Sequence, residues 1–394
     1  MSSPPRSVRS RRTAPVVGVV GAGSGPAHRI LEVLSSPRVQ SGGSASRNLV
    51  GLDVAPEGAP ASAAATAPDD TPSTAAPNVS WRPLDLSQPA SLLAALRGLD
   101  AVVYVAASTD LVADLVLHPR ERRDLAVRRI QALVIATAAA AVSQLVVVSS
   151  AMVYGAALDN AVPLPEDADL AAERNDGLVG DLLAVEEVLE TARDVHLGLA
   201  VTVLRPAALV GAGADTVITR HFEAPRLLTL KTGCPAWQFC HVDDLATAVD
   251  VVIRQRLGPV LTVASGPAMT QPEVEHLSGM RHVELSESLA FGTATRLHRA
   301  GVLPMPASDL TFAVYPWVVS SATLRAAGWS AAYDAPTCLG VLLEGTRGRH
   351  AVASRRVDRK DAALGAALGA ASASATVALV GTAAVLRRRR RKGS

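Results

Sequence analysis

Short runs of apolar, often β-branched residues recur along the first half of the chain, and stretches with helical spacing separate them. Continuous apolar runs of this length are typical of strands buried on both faces of a parallel sheet. Strands are predicted at residues 16–20, 49–53, 99–107, 144–150 and 199–204, with another beginning at Val79. Helices are predicted at residues 90–96, 121–141 and 182–193. This alternation predicts an α/β fold with a doubly wound parallel sheet.

The turn after the first predicted strand is rich in glycine. Gly21, Gly23 and Gly25 occupy alternate positions, Pro26 follows, and apolar residues then recur at helical spacing. A strand, a tight turn and a helix arranged in this way bring backbone N–H groups and the positive end of a helix dipole to one point, where a diphosphate can bind. Glycine turns are common, so a turn without a ligand is the alternative.

An acidic residue ends the second predicted strand. Asp53 follows Leu49-Val-Gly-Leu, and a carboxylate at this position of a nucleotide-binding fold accepts hydrogen bonds from the adenosine ribose. It would also repel a 2′-phosphate, so the sequence favours NAD over NADP. The alternative is an aspartate that only serves the turn.

Composition favours a globular protein, because 49% of the 394 residues are hydrophobic and the formal net charge is only +2. A charge so close to zero does not predict nucleic-acid binding. Residues 1–13 are rich in Ser, Pro and Arg, and residues 55–78 have no aromatic residue and no periodicity, so both are predicted to be disordered. Reduced thiols and no metal site are predicted for Cys234, Cys240 and Cys338.

Eight short motifs follow one another in the order typical of one protein family. They are the loop from Gly21 to Ala27, Asp53, Asp85-Leu86, Val103-Tyr-Val-Ala-Ala107, Ser149-Ser-Ala-Met-Val-Tyr-Gly155, Leu204-Arg-Pro206 through Gly211, His241-Val-Asp-Asp-Leu245 and Thr323-Leu-Arg-Ala-Ala-Gly-Trp329. On these motifs the chain resembles the NAD-dependent epimerase/dehydratase superfamily, the extended short-chain dehydrogenases/reductases. The resemblance extends over roughly residues 14–345.

The resemblance implies a Rossmann-like domain at residues 14–206 and a smaller substrate-binding part at residues 207–345. It implies NAD as the cofactor. The residues that it places around NAD are Gly21, Gly23, Ser24, Gly25, Asp53, Asp85, Leu86, Ala106, Ala107, Ser149 and Pro206. It places the catalytic hydroxyl at Ser150 and leaves Tyr154 as a second candidate.

The chain departs from the family pattern at the catalytic acid/base. The family's Tyr-x-x-x-Lys pair aligns with Leu178 and Leu182, and none of the four tyrosines has a lysine four residues later. The lysine normally lowers the phenol pKa from about 10 towards neutrality, so the usual hydride-transfer mechanism is not expected. Asp181 and Glu186 lie on the same predicted helix, and we expect them on a solvated face or at the helix start.

The C-terminal segment raises the question of a membrane. A linker is predicted at 346–361, an apolar helix at 362–386, where no residue is charged, and a basic tail at 387–394. About twenty uncharged residues can span a bilayer, although alanine, glycine and serine dominate here. Membrane contact through residues 362–392 and a helix packed on the protein body are the alternatives.

The sequence therefore predicts a cytoplasmic NAD-binding protein with two open functions. The first is an epimerase/dehydratase-like enzyme that acts on a nucleotide-sugar, or a related carbonyl or alcohol substrate, with a non-standard acid/base. The second is an NAD(H)-binding sensor or scaffold without catalysis. The predicted partners are a small-molecule substrate, a membrane surface and a second copy in a homodimer, but no nucleic acid.

Overall fold

The computed structural model describes residues 15–36, 48–53, 79–300, 303, 305–346, 350–352 and 355–357. The predicted basic tails, the insert at 55–78, the apolar helix at 362–386 and nine of the sixteen linker residues lie outside the described residues. Within the described ranges, no helix is both long enough and apolar enough to cross a membrane.

The described strands alternate with helices as the sequence predicts. In chain order the strands are β1 Val16–Val20, β2 Asn48–Asp53, β3 Val79–Pro83, β4 Ala101–Val105, β5 Gln144–Val148, β6 Ala200–Pro206, β7 Ala208–Val210, β8 Leu227–Leu230, β9 Ala236–Trp237, β10 Phe239–His241, β11 Val260–Val263, β12 Met269–Thr270, β13 His282–Leu285, β14 His350–Val352 and β15 Arg355–Val357.

In chain order the described α-helices are α1 Gly25–Ser35, α2 Pro89–Leu96, α3 Leu111–Val116, α4 Pro119–Ala139, α5 Leu178–Val195, α6 Val217–Phe222, α7 Val242–Gln255, α8 Gln271–Ser278, α9 Glu287–Arg299, α10 Thr311–Val314, α11 Ala322–Ala326 and α12 Ala335–Thr346. Two 3₁₀ turns lie at Ala151–Tyr154 and Ala307–Leu310.

A seven-stranded parallel sheet with the order β11-β6-β5-β4-β1-β2-β3 forms the centre of the fold. This confirms the predicted Rossmann-like sheet. The seventh strand, Val260–Val263, comes from beyond residue 206, where the predicted domain ends. A four-residue strand is too short to stand out by its hydrophobic pattern, and only its pairing with β6 identifies it.

Helices cover both faces of the sheet, which explains why its central strands are largely apolar. In β5, Val146 and Val148 pack with the cluster that contains α1 and α7, while Leu145 and Val147 pack with the cluster that contains α2 and α4. Neighbouring strand residues point to opposite faces, so a strand buried on both sides has no polar face.

Chain order reverses between β1 and β4, which are neighbours in the sheet. Loops after these two strands leave towards opposite sides, and the crevice that opens outside their carboxyl ends is where open α/β sheets bind ligands. The residues after β7 form short two-stranded pairs, β7 with β10, β9 with β12 and β8 with β13. Of these pairs, β7 and β10 contribute residues to the wall of the site described next.

Candidate cofactor and reaction site

The glycine turn adopts a backbone that side chains rarely tolerate. The φ angles of Gly21 and Gly25 are +74° and +61°. A Cβ added to Gly23 would lie 2.2 Å from a carboxylate oxygen of Asp53, whereas one added to Gly21 would meet nothing within 4 Å. The turn is therefore closed on the Asp53 side and open above Gly21, where a ligand can approach the backbone.

Asp53 ties the glycine turn to the end of β2. Its carboxylate accepts a hydrogen bond from the Gly23 N–H at 2.5 Å. Ser24 occupies the N-cap of α1, and its side chain makes no capping bond to the helix. The first N–H groups of α1 thus keep the capacity to bind an anion, and the helix dipole adds a partial positive charge.

The residues predicted to surround the adenosine lie together. Gly21, Asp53, Asp85 and Leu86 line one cleft of about 830 Å³, together with Arg129 from α4. Asp85 also accepts bonds from the N–H and the hydroxyl of Ser87, and these bonds lower the pKa of Asp85. The sequence motifs at the ends of β1, β2 and β3 therefore meet at one edge of the sheet, as parallel strands require.

A second cleft, of about 890 Å³, lies on the other side of the glycine turn. Gly21, Ser24 and Gly25 line it, opposite the loop at residues 211–215. This loop packs closely on the glycine turn, because a Cβ on Gly213 would lie 2.5 Å from the Gly25 Cα. The N–H of Asp215 also donates to the Thr109 carbonyl at 3.0 Å. The loop after β7 thus spans the crevice from one side to the other.

The predicted catalytic serine lies in a third, smaller cavity of about 50 Å³. Its walls include Ala107, Ser149, Ser150, Leu178, Leu182, Pro206, Thr216 and Asp309. The structure thus brings six positions that the sequence analysis singled out to one place, namely Ala107, Ser149, Ser150, Leu178, Leu182 and Pro206. A cavity of this size holds only a few water molecules, so we expect a wall to move before a nicotinamide ring and a substrate enter together.

Two hydroxyl groups of this cavity are suited to a ligand. The Ser150 hydroxyl caps the 3₁₀ turn by accepting from the Met152 N–H at 3.2 Å, which leaves its own proton for another acceptor. The Ser108 hydroxyl is buried and, among the described residues, has no hydrogen-bond partner. Sequence reasoning missed Ser108, although it directly follows the Val103–Ala107 motif.

Ser149 and Tyr154 belong to a buried polar network. Ser149 donates to Glu186 at 2.5 Å, and Glu186 is also paired with Arg205 at 2.5 Å. The Arg205 guanidinium lies 4.8 Å from the centre of the Tyr154 ring, and the Tyr154 hydroxyl donates to the Glu166 carbonyl at 2.7 Å. Burial raises the pKa of Tyr154. The phenol is thus a structural group and a poor proton donor.

The expectation of a solvated face for Asp181 and Glu186 is wrong. Both side chains are buried, at 6% and 5% exposure. Asp181 does lie in the first turn of α5, as the second part of the expectation says, but there it accepts from Arg122 at 2.5 Å and from Arg123 at 3.1 Å. Burial raises the pKa of Asp181, and these arginines oppose that shift.

The remaining predicted residues are partly accounted for. Ala106 lies at the carboxyl end of β4, with its N–H bonded to the Val148 carbonyl at 2.8 Å. His241 caps α7 by accepting from the Asp243 N–H and stacks on Tyr333 at 3.6 Å, which agrees with the packing or capping role expected for it. Asp243 pairs with Arg29 of α1 at 2.6 Å, so this cap also connects α7 to the helix of the glycine turn.

Asp309 is the acidic side chain that sequence reasoning missed. It lies in the 3₁₀ turn Ala307–Leu310, more than a hundred residues after α5, and no motif surrounds it. The side chain is 7% exposed and lines the cavity that contains Ser150 and the two leucines. Burial raises the pKa of Asp309 to about 7, against the opposing effects of a bond from Asn175 and the charge of Arg122.

A glycine turn at the β1–β4 crevice, an acid at the end of β2 and clefts on both sides define a Rossmann protein that binds a dinucleotide. The model of the NAD dependent epimerase/dehydratase family matches residues 43–263. The chain belongs to this family. A search of curated protein sequences gave no match.

Solved structures with the same fold are numerous. MoeE5 in complex with UDP-glucuronic acid and NAD is 22% identical, with a TM-score of 0.57 over 85% of this chain and 99% of its own. DesIV from Streptomyces venezuelae, a dTDP-glucose 4,6-dehydratase with NAD bound, is 16% identical, with a TM-score of 0.60 over 84% and 97%.

UDP-glucose-4-epimerase from Stenotrophomonas maltophila, with bound NAD and formylated UDP-arabinopyranose, is 18% identical, with a TM-score of 0.58 over 85% of this chain and 98% of its own. At these identities the likeness is one of fold. It extends over nearly the whole length of each of these proteins.

Proposed function

We propose that this protein binds NAD along the carboxyl edge of the sheet and acts on a nucleotide-sugar, or on a related alcohol or carbonyl substrate. The observation that carries the proposal is the 2.5 Å hydrogen bond from the Gly23 N–H to Asp53, at the crevice between β1 and β4. Membership of an NAD-dependent family supports the cofactor. The nucleotide-sugars bound to MoeE5 and to the epimerase support the substrate class.

The residues present suit the adenosine and diphosphate parts of NAD. Asp53 is placed to accept from the ribose hydroxyls, and Asp85 and Leu86 line the cleft beside it. Ser24 and the N–H groups at the start of α1 are suited to the diphosphate. Pro206 and Ser149 would lie towards the nicotinamide, which supplies the hydride acceptor when NAD is bound.

The reaction would follow a non-standard course. Leu178 and Leu182 line the cavity where the family has tyrosine and lysine, and neither can carry a proton. Ser150 remains to donate a hydrogen bond to the reacting oxygen of the substrate. Such a donor stabilises the charge that develops on that oxygen, but it does not replace a group that accepts and returns a proton.

The test has two stages. Purified protein is titrated with NAD⁺ and NADH by calorimetry, and is then incubated with UDP-glucose, UDP-glucuronic acid and dTDP-glucose while cofactor reduction and sugar products are followed. We expect binding of NAD and conversion of at least one sugar. If the protein binds NAD but converts none of these sugars, nor any in a wider panel of nucleotide-sugars, the sensor or scaffold function is favoured. If it binds neither NAD⁺ nor NADH, both the enzyme and the sensor or scaffold hypotheses are overturned.

We propose a cytoplasmic location with membrane contact through residues 362–392. The support is the sequence alone, in which an uncharged stretch is followed by Arg387–Lys392. A variant without residues 362–394 should move from the membrane fraction to the soluble fraction. An unchanged distribution would contradict the proposal.

Light scattering on the same two proteins tests the predicted homodimer.

A further inference from the structure

The cavity around Ser150 contains one ionisable side chain among the described residues that line it, and this is Asp309. Most of the remaining wall is apolar, with Leu178, Leu182 and Trp317 prominent. A carboxyl group with so few polar neighbours destabilises the folded state when it is charged, because burying a charge without a partner costs free energy. Its position calls for an explanation.

The Asp309 carboxyl has weak partners. The Asn175 amide nitrogen lies 2.6 Å from the Ser308 hydroxyl but 3.5 Å from the nearer Asp309 oxygen, so its stronger bond goes to Ser308. The positive charge of Arg122 favours the carboxylate form of Asp309, but its guanidinium already bonds Asp181 and the Asp176 carbonyl. Glu173 and Asp181 add negative charge nearby and raise the pKa of Asp309 further.

The start of α5 makes room for this carboxyl. A Cβ added to Gly177, the N-cap of α5, would lie 2.8 and 2.9 Å from the two Asp309 oxygens. The carboxyl thus packs against the first residues of the helix that also provides Leu178 and Leu182. A helix start favours the charged form through its dipole, while burial favours the neutral form. These opposing effects keep both forms accessible.

Asp309 also has a route to solvent. It lines a second cavity of about 160 Å³, together with Glu173 and Asn175. Glu173 is exposed, so this cavity reaches the surface of the protein. Asp309 therefore lies between the cavity of Ser150 and an opening through which a proton can be exchanged.

Other candidates for proton transfer are already bonded. Tyr154 donates to the Glu166 carbonyl, and its ring lies beneath Arg205. Glu186 is paired with Arg205, and Asp181 with Arg122. Each of these groups would have to break a buried bond before it could serve a substrate.

We propose that Asp309 is the proton acceptor and donor of this site, in the role that tyrosine has elsewhere in the family. The proposal rests on the proposed function. The Asp309 carboxylate takes the proton of the substrate hydroxyl, the electron pair of that O–H bond forms the C=O bond, and the hydride on the same carbon leaves to NAD⁺. The products are a carbonyl compound, NADH and a neutral Asp309, which returns the proton in the reverse direction.

The decisive measurement needs no substrate. The nicotinamide of NAD⁺ carries a positive charge that NADH lacks, so binding NAD⁺ next to Asp309 should favour the carboxylate and release a proton. Since the pKa of Asp309 is about 7, up to about half a proton should be released per NAD⁺ at pH 7. Calorimetry in buffers of different ionisation enthalpy measures this number.

Three proteins are compared: wild type, Asp309→Asn and Asp176→Asn. Asn is close to Asp in shape but does not titrate, and Asp176 is a largely exposed acid directly after Asn175, with its side chain at 68% exposure. We expect wild type and Asp176→Asn to release the proton with NAD⁺ and not with NADH, and Asp309→Asn to release none. Equal release from wild type and Asp309→Asn would overturn the assignment of Asp309 and leave the proposed function standing.

A kinetic measurement completes the test. With a sugar that wild type converts, Asp309→Asn should lower kcat by roughly 10²- to 10⁴-fold, which is the usual contribution of a general acid/base. The pH profile of kcat should also lose its limb near pH 7, which is the acidic limb for oxidation of an alcohol and the basic limb for reduction of a carbonyl. Asp176→Asn should stay within about twofold. Retention of full kcat by Asp309→Asn would overturn the proposal, whereas wild type without any NAD binding would overturn the proposed function with it.

Discussion

The Asp53 carboxylate accepts a hydrogen bond from the Gly23 N–H at 2.5 Å, and no side chain fits at residue 23 without displacing that carboxylate. The bond holds the glycine turn against the end of β2 and leaves the opposite surface of the turn open above Gly21. Two residues thirty positions apart thus determine the shape of the cofactor cleft.

The first prediction concerns this contact. In Gly23→Ala the new Cβ would lie 2.2 Å from an Asp53 oxygen, so the carboxylate or the turn has to move. We expect NAD affinity to fall by at least about tenfold, or about 1.4 kcal/mol, in a calorimetric titration.

Gly340→Ala in α12 is the matched control, because a Cβ there meets nothing within 4 Å. NAD affinity should be unchanged, and the helix should gain up to about 1 kcal/mol. Wild-type NAD affinity in Gly23→Ala would contradict the importance of the contact.

The second prediction separates a buried acid from its exposed neighbour. Glu186→Ala leaves the Arg205 charge, with its side chain 7% exposed, without a partner, and should cost about 3–5 kcal/mol of stability. Glu187 pairs with Arg174 on the surface, where both side chains are more than half exposed, so Glu187→Ala should cost less than about 1 kcal/mol. Chemical denaturation measures both, and equal losses would refute the distinction.

The third prediction concerns the pH dependence of stability. The pKa of Asp309 is raised from 3.8 to about 7 in the folded protein, so its favourable contribution is complete below pH 3.8 and is lost as the pH rises towards 7 and beyond. At about 1.4 kcal/mol per pKa unit, the total is roughly 4 kcal/mol. Asp309→Asn cannot titrate and should therefore gain stability relative to wild type over this range.

Thermal unfolding of wild type, Asp309→Asn and Asp176→Asn at a series of pH values checks this expectation. The curve of Asp176→Asn should run parallel to that of wild type. A constant difference between wild type and Asp309→Asn would mean that the Asp309 carboxyl titrates alike in the folded and unfolded chains.

The fourth prediction concerns Ser150. Ser150→Ala removes the hydroxyl from the reaction cavity and also the cap on the Met152 N–H, at a cost of about 1 kcal/mol in stability. NAD affinity should not change, while kcat for a converted sugar should fall by about 10²-fold. Ser286→Ala, at an exposed position that makes no capping bond, is the control. If Ser150→Ala keeps the full wild-type kcat, the Ser150 hydroxyl takes no part in the reaction.

The pattern of the sequence by itself determined the parallel sheet, the glycine turn and the position of Asp53. These features depend on neighbouring residues, because hydrophobic period and glycine spacing are local properties of the chain. Leu178 and Leu182 were identified differently, through the alignment with the family's Tyr-x-x-x-Lys motif, and both line the cavity of Ser150. Local pattern therefore located the candidate cofactor cleft, and the resemblance to the family located the candidate reaction cavity.

Only the tertiary structure decided which charges are buried and which acid reaches the cavity. Helical spacing cannot show that Arg122, 59 residues before Asp181, lies beside it in the folded chain. Nor can it show that Asp309, in a turn without any motif, closes the cavity of Ser150. The state of a carboxyl group depends on desolvation and on charges that are distant in sequence, and these exist only after the chain has folded.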